Sequence, residues 1–125
     1  MFGKKKAVKN YNNWTLEYKR QWDTALVMSK RLQAQVSIVE TARCCVELYP
    51  DGELKDKAKT RLITEQQELV NRANNYNKAV DFVKNYYAAH CENIEINWHP
   101  DQWQSEVEII EHTYRHIHKL YFIQN

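Results

Sequence analysis

Glycine and proline are scarce in this 125-residue chain, which contains two of each. Gly3 lies near the start, so only Pro50, Gly52 and Pro100 remain in the rest of the sequence. Both residue types interrupt helices, because proline lacks a backbone donor and glycine loses the most conformational entropy on folding. Their absence from the long blocks between these positions favours long, continuous helices.

Long apolar runs and an even set of cysteines are also missing. No stretch approaches the ~20 apolar residues of a membrane-spanning helix, and the first residues lack the apolar run of a signal peptide. The three cysteines, Cys44, Cys45 and Cys91, include one adjacent pair and do not form a disulfide framework. We therefore expect a protein that is not secreted by a signal peptide and is found in a reducing intracellular compartment, or in an assembled particle.

Apolar and aromatic residues are frequent enough to build a core, at 43% and 12% of the chain. The net charge is +2, but residues 1–31 hold eight Lys or Arg side chains against two acidic ones. Residues 1–12 are basic and lack periodicity. We interpret them as a flexible basic tail in front of a single helical bundle domain, residues 13–125.

Heptad periodicity predicts the two longest elements. Residues 14–48 place apolar side chains and two glutamines at alternating steps of four and three, with Asn13 as the expected N-cap. Residues 49–52 have the composition of a turn, and residues 53–90 continue the same pattern. The two series are Trp14, Tyr18, Gln21, Ala25, Met28, Leu32, Gln35, Val39, Ala42 and Val46, then Leu62, Gln66, Leu69, Ala73, Tyr76, Val80, Val83 and Tyr87.

A shorter third helix is predicted from Pro100, which suits a first helical turn. A short extended segment should precede it, because apolar residues alternate with polar ones over residues 94–98. The helix carries one more four-three series, Trp103, Val107, Ile110, Tyr114, Ile117 and Tyr121. The predicted fold is all-α: an elongated three-helix antiparallel bundle of two long helices, resembling a coiled-coil hairpin, and one shorter C-terminal helix.

The helix lengths predict an uncovered end. At 1.5 Å per residue the two long helices span roughly 50–57 Å and the third about 35 Å. The hairpin tip, approximately residues 38–68, should then project as two helices, unless the third helix tilts or the long ones bend. A second copy or a foreign partner would complete it. The predicted interface residues are Ile38, Val39, Val46, Leu48, Leu54, Leu62 and Ile63.

Two sets of side chains contain residue types that bind metals. Glu108, His112 and His116 are spaced by four and share one helical stripe, a geometry that binds zinc or copper. The same stripe falls on the solvent face if Val107 and Ile110 face the core, and it then needs no metal. A second set, His90, Cys91 and His99, matches no zinc motif. We expect no metal and no cofactor.

Catalytic motifs are absent from the sequence, which has no glycine-rich phosphate loop, nucleophile elbow or HExxH motif. We therefore expect a non-enzymatic structural or assembly protein that self-associates or docks into a larger complex, as subunits of viral particles and similar machines do. The alternative is a small nucleic-acid-binding accessory protein, whose oligomer presents the basic arm, Lys4, Lys5, Lys6 and Lys9, to nucleic acid or another anionic surface. A metal-binding bundle is the third hypothesis.

Overall fold

The fold is an all-α, elongated bundle, as a computed structural model of the chain describes it for residues 10–113. Helix α1 covers Asn13–Leu48 and helix α2 covers Glu53–His90. These two helices pack along each other as an antiparallel hairpin. A shorter helix, α3, begins at residue 106 and is described to residue 113. The predicted fold class and the bounds of both long helices are confirmed.

The start of α1 is fixed by Asn12 rather than by Asn13, the predicted N-cap. The Asn12 side-chain oxygen accepts a hydrogen bond from the Thr15 amide at 2.8 Å. Its Nδ2 donates to the Asn93 carbonyl, also at 2.8 Å, so the same side chain ties the start of α1 to the segment after α2. The prediction was wrong by one residue, because adjacent asparagines have equal intrinsic preference for the cap.

The hairpin turn follows the predicted composition. The Tyr49 amide donates to the Cys45 carbonyl at 3.1 Å and closes the last turn of α1. Gly52 has a φ of 149°, a backbone conformation that favours glycine. Its carbonyl accepts from the Asp56 amide at 3.1 Å, and α2 begins at the next residue. This glycine is therefore required by the turn between the helices.

The heptad faces form the core of the hairpin along most of their length. Members that are buried include Tyr18, Ala25, Leu32, Val39, Ala42, Tyr76, Val80 and Val83. Trp14 and Gln66 depart from the prediction and are exposed. Gln35 is fully buried at its heptad position, and its Nε2 donates to the carbonyl and to the carboxylate of Glu65 at 2.9 and 3.0 Å.

The segment between α2 and α3 closes the end of the bundle that lies farthest from the turn. It contains two 3-10 turns, Cys91–Asn93 and Pro100–Gln102. Residues 94–98 alternate between half-buried and exposed, as predicted, although no strand occurs within residues 10–113. The rings of Trp98 and Trp103 pack against Trp22, with centroids 5.3 and 5.0 Å apart. We call this aromatic end the base.

Helix α3 begins later than predicted. Pro100 lies in a separate 3-10 turn, and Ser105 caps the α-helix by accepting a hydrogen bond from the Glu108 amide at 3.2 Å. The face of α3 also differs, since Ile109 is buried and Val107 is exposed. Because α3 begins at residue 106, Trp103 is not part of this helix. Its ring packs against the core from the segment between α2 and α3. Tyr114, Ile117 and Tyr121 lie outside the described residues.

Candidate interaction surface at the hairpin tip

Apolar side chains of both helices form a groove beside the turn, which we call the tip groove. It has a volume of about 230 Å³ and is lined on α1 by Ala42, Cys45 and Tyr49. On α2 it is lined by Leu54, Lys57, Ala58 and Arg61. Small residues at the floor create the depression, because Ala42 and Ala58 are buried and leave no long side chains to fill it. The two cations lie along the α2 wall of an otherwise mainly apolar groove.

The predicted interface residues divide into three classes. Leu48, Leu54 and Ile63 have 80%, 65% and 58% of their surface exposed. Ile38, Val46 and Leu62 are half-buried. Val39 is only 8% exposed and belongs to the core of the hairpin. The surface available to a partner near the turn is therefore carried by Leu48 and Leu54, not by Val39.

Leu54 and Ile63 lie on different sides of α2. They are nine residues apart, which at 100° per residue places their side chains on opposite faces of the helix. Leu54 lines the tip groove and Ile63 does not. A single partner that fills the groove would contact Leu54 and leave Ile63 exposed.

Ion pairs form within each helix near the tip groove. Arg43 bridges Glu40, at 2.6 Å, and Glu47, at 3.1 Å. The Glu40 side chain is buried and has little contact with water. The Arg43 guanidinium therefore offsets the cost of removing the Glu40 carboxylate from water. Lys57 pairs with Glu53 at 3.4 Å, and both of these side chains remain largely exposed.

A second groove, at the base end of the hairpin, was not predicted from the sequence. Arg20, Gln21 and Thr24 of α1 and Ala79 and Phe82 of α2 line a space of about 350 Å³. The Phe82 ring is 65% exposed. An isolated phenylalanine outside the heptad series was the one available signal, and it does not by itself distinguish a groove from ordinary surface.

The two grooves open on the same side of the hairpin. Gln21 lines the base groove, and Ala42 and Tyr49 line the tip groove. These positions are separated by multiples of seven residues, so they follow one stripe of α1. Among residues 10–113, both grooves are lined by α1 and α2, whereas a different stripe of α1, which includes Trp22 and Ser29, faces Trp103 and Ile109.

Those candidate metal ligands that the structure describes do not come together as a cluster. Within residues 10–113 no group of three His, Cys, Asp or Glu side chains is arranged to hold a metal ion. Glu108 and His112 are exposed on α3, and His116 lies outside the described residues. In the second set, Cys91 is exposed and both histidines pack against aromatic rings.

His90 and His99 are each held by aromatic neighbours. The His90 ring lies between Trp14 and Tyr86, with centroid distances of 4.3 and 4.6 Å. The His99 ring lies 5.2 Å from Tyr87, and its Nδ1 accepts a hydrogen bond from the Asp101 amide at 3.2 Å. These contacts give both imidazoles a structural role at the base.

The basic arm, Lys4, Lys5, Lys6 and Lys9, lies outside the described residues. The nearest described cation with aromatic contacts is Lys19. Its ammonium lies 5.0 Å from the ring centroid of Tyr11 and 5.8 Å from that of Trp98. This cation–π arrangement occupies Lys19 within the chain itself.

Comparisons with known proteins return no relative. No family model, no curated protein and no solved structure matches this chain. None of the helices within the described part of the chain is both long and apolar enough to cross a bilayer.

Proposed function

We propose that this chain is a non-enzymatic structural or assembly protein that associates through its hairpin tip. The observation that carries the proposal is the pairing of the tip groove with two strongly exposed leucines, Leu48 and Leu54, at the end of the molecule farthest from the aromatic base. Exposed leucines beside a concave apolar surface are typical of protein–protein contacts. In this role the hairpin is a rigid spacer, and its base is the stable end.

The geometry of the tip suits a helical or hairpin partner better than a small ligand. The groove runs between two antiparallel helices and is open to solvent along its length, so it would bury only one side of a small molecule. Small-molecule sites usually enclose most of their ligand. A helix laid along the groove would place one apolar stripe against Tyr49, Leu54 and Ala58.

The test is the native mass of purified protein, measured by light scattering behind a sizing column over a range of concentrations. The wild type is expected to exceed the 15.0 kDa of one chain. A variant with Leu48→Lys and Leu54→Lys should elute at one chain mass with unchanged helix content, because both side chains are exposed. The matched control is Leu16→Lys with Val27→Lys, two exposed apolar residues of α1 away from the tip, and it should behave as wild type.

A tip variant that keeps the wild-type mass would contradict the proposal. If the wild type is a single chain at every concentration, the partner is a different protein. The proposal then predicts that tagged wild type and the Leu16/Val27 control retain the same partner, and that the Leu48/Leu54 variant does not. Retention by all three proteins would exclude the tip as the docking surface.

A further inference from the structure

Charge is segregated along the hairpin tip. Residues 44–54 contain no Lys or Arg, and their charged side chains are all acidic: Glu47, Asp51 and Glu53. The next two turns of α2 reverse the sign, with one acid, Asp56, among four cations, Lys55, Lys57, Lys59 and Arg61. The sequence of the hairpin end is thus acidic and the band directly behind it is basic, with Glu47 paired to Arg43 and Asp51 to Lys55.

Part of this pattern runs along the wall of the tip groove. Glu53, Lys57 and Arg61 recur every four residues, so they share one stripe of α2 beside the apolar residues Leu54 and Ala58. The Glu53 and Lys57 side chains are 84% and 72% exposed. Glu53 and Lys57 pair with each other within α2, but exposed pairs of this kind contribute little to stability, so exchanging this pair for contacts with a partner costs little free energy.

We propose that the occupant of the tip groove is a second copy of this chain, which packs antiparallel with only the tips overlapping; this inference rests on the proposed function. A twofold axis that meets this stripe midway between Glu53 and Lys57 places Glu53 of each copy opposite Lys57 of the other. Leu54 of each copy then lies against the groove of its neighbour, between Tyr49 and Ala58. The two bases point away from each other, and the dimer is a rod of nearly twice the hairpin length.

The antiparallel arrangement follows from the order of the charges. In a parallel pair Glu53 would face Glu53 and Lys57 would face Lys57, and like charges across an interface are unfavourable. A foreign helix with charge of one sign would match only half of the stripe. In a twofold pair of identical tips, the acidic half of each stripe faces the basic half of the other. The same patch is used on both copies, so no unpaired patch is left to add a third copy.

The overlap is small. It involves only the last few turns of each hairpin, which places the contact among interfaces of less than ~1,200 Å², a size found in weak and transient complexes. Self-association should therefore require high protein concentration, on the order of 10–100 μM. Measurements near 1 μM should detect a single chain.

Charge reversal tests the pairing with the full chain. The Glu53→Lys variant and the Lys57→Glu variant, each measured alone, should show dimer dissociation constants at least tenfold higher than wild type. An equimolar mixture of the two should recover wild-type association. In the mixed pair one chain carries two cations and the other two anions at these positions, so both cross-chain contacts join opposite charges.

The mixture also tests whether the weaker association comes only from losing the ion pair within α2. The Glu53–Lys57 pair inside α2 is broken in both variants and stays broken when they are mixed. Recovery therefore reports a contact between chains. The matched control is Glu92→Lys, an exposed charge reversal at the base, which should leave the dissociation constant unchanged.

The outcomes separate this inference from the proposed function. If both single variants associate as wild type while Leu48→Lys with Leu54→Lys does not, the tip is the interface but the antiparallel pairing is wrong. If the variants are weakened and their mixture does not recover, the cross-chain contact is wrong. A wild type that stays a single chain at several hundred μM would overturn the second copy as occupant and leave a foreign partner at the tip.

Discussion

At the scale of single residues, two buried phenols connect the hairpin to the segment that closes the base. The Tyr18 hydroxyl donates to the Trp98 carbonyl, and the Tyr76 hydroxyl donates to the Gln104 carbonyl. Burial raises the pKa of each phenol to about 12, with a smaller contribution from Tyr87 near Tyr18 and from Glu106 and Glu108 near Tyr76. Both hydrogen bonds require a protonated tyrosine hydroxyl, because the hydroxyl is the donor.

Stability is therefore expected to fall at alkaline pH. The pKa of a tyrosine in the unfolded chain is about 10, so below pH 10 both states hold the proton and the contribution is fully present. Between pH 10 and 12 the unfolded state loses protons that the folded state keeps, and the free energy of unfolding decreases. Urea titrations from pH 8 to 12 measure the slope, which should be shallower in Tyr18→Phe and in Tyr76→Phe. An unchanged slope in both variants would contradict this account.

Gln35 is a buried polar residue that joins the two long helices. Its amide is fully buried and reaches across to Glu65 through two hydrogen bonds. Gln35→Ala removes both bonds and leaves a cavity, so the free energy of unfolding should fall by about 2–3 kcal/mol. Gln67→Ala, on the exposed surface of α2, is the control and should change it by less than ~0.5 kcal/mol. Chemical denaturation monitored by circular dichroism measures both values.

At the scale of elements, a side-chain cap marks the start of α1. Asn12 accepts from the Thr15 amide and donates to the Asn93 carbonyl, whereas Asn13 is the exposed first residue of α1. Asn12→Ala should lower the free energy of unfolding by about 1–2 kcal/mol, because it removes a cap and a contact to the base. Asn13→Ala should have little effect. Equal losses from the two substitutions would show that the cap was assigned to the wrong residue.

At the scale of the whole molecule, the hairpin has two ends of different stability. The base packs Tyr18, Trp22 and Tyr76 against the rings of Trp98 and Trp103, and large aromatic contacts dominate core energetics. Within the described residues the tip consists of α1 and α2, with small core residues and exposed leucines. Backbone amides near the turn should therefore exchange with solvent faster than those around Val80 and Val83.

Hydrogen exchange also reports association. If two copies pack tip to tip, exchange over residues 42–60 should slow as protein concentration rises from about 1 to 100 μM, because mass action favours the dimer. Exchange at the base should not depend on concentration. The Glu53→Lys variant provides the comparison, and its tip should exchange at the same fast rate at both concentrations. Protection at the base alone would contradict tip association.

Sequence reasoning succeeded where local signals and tertiary structure agree. The bounds of α1 and α2 follow from a scarcity of glycine and proline combined with a heptad pattern that spans more than thirty residues. It failed where several local solutions compete. Pro100 suits the first turn of either a 3-10 or an α-helix, and Ser105 with Glu108 offers a second start, which is the one that α3 uses.

The sequence alone was enough to establish an all-α chain with a long antiparallel hairpin, because backbone propensity and side-chain periodicity act along the chain. Only the tertiary structure decided which residues face solvent at the tip. Leu54 and Ala58 are both apolar and lie one turn apart on the same side of α2, yet Ala58 is buried and Leu54 is exposed. The difference arises from what the facing helix places opposite each position. Contacts between the helices, such as the hydrogen bond from Gln35 to Glu65, are not contained in the pattern of either helix alone.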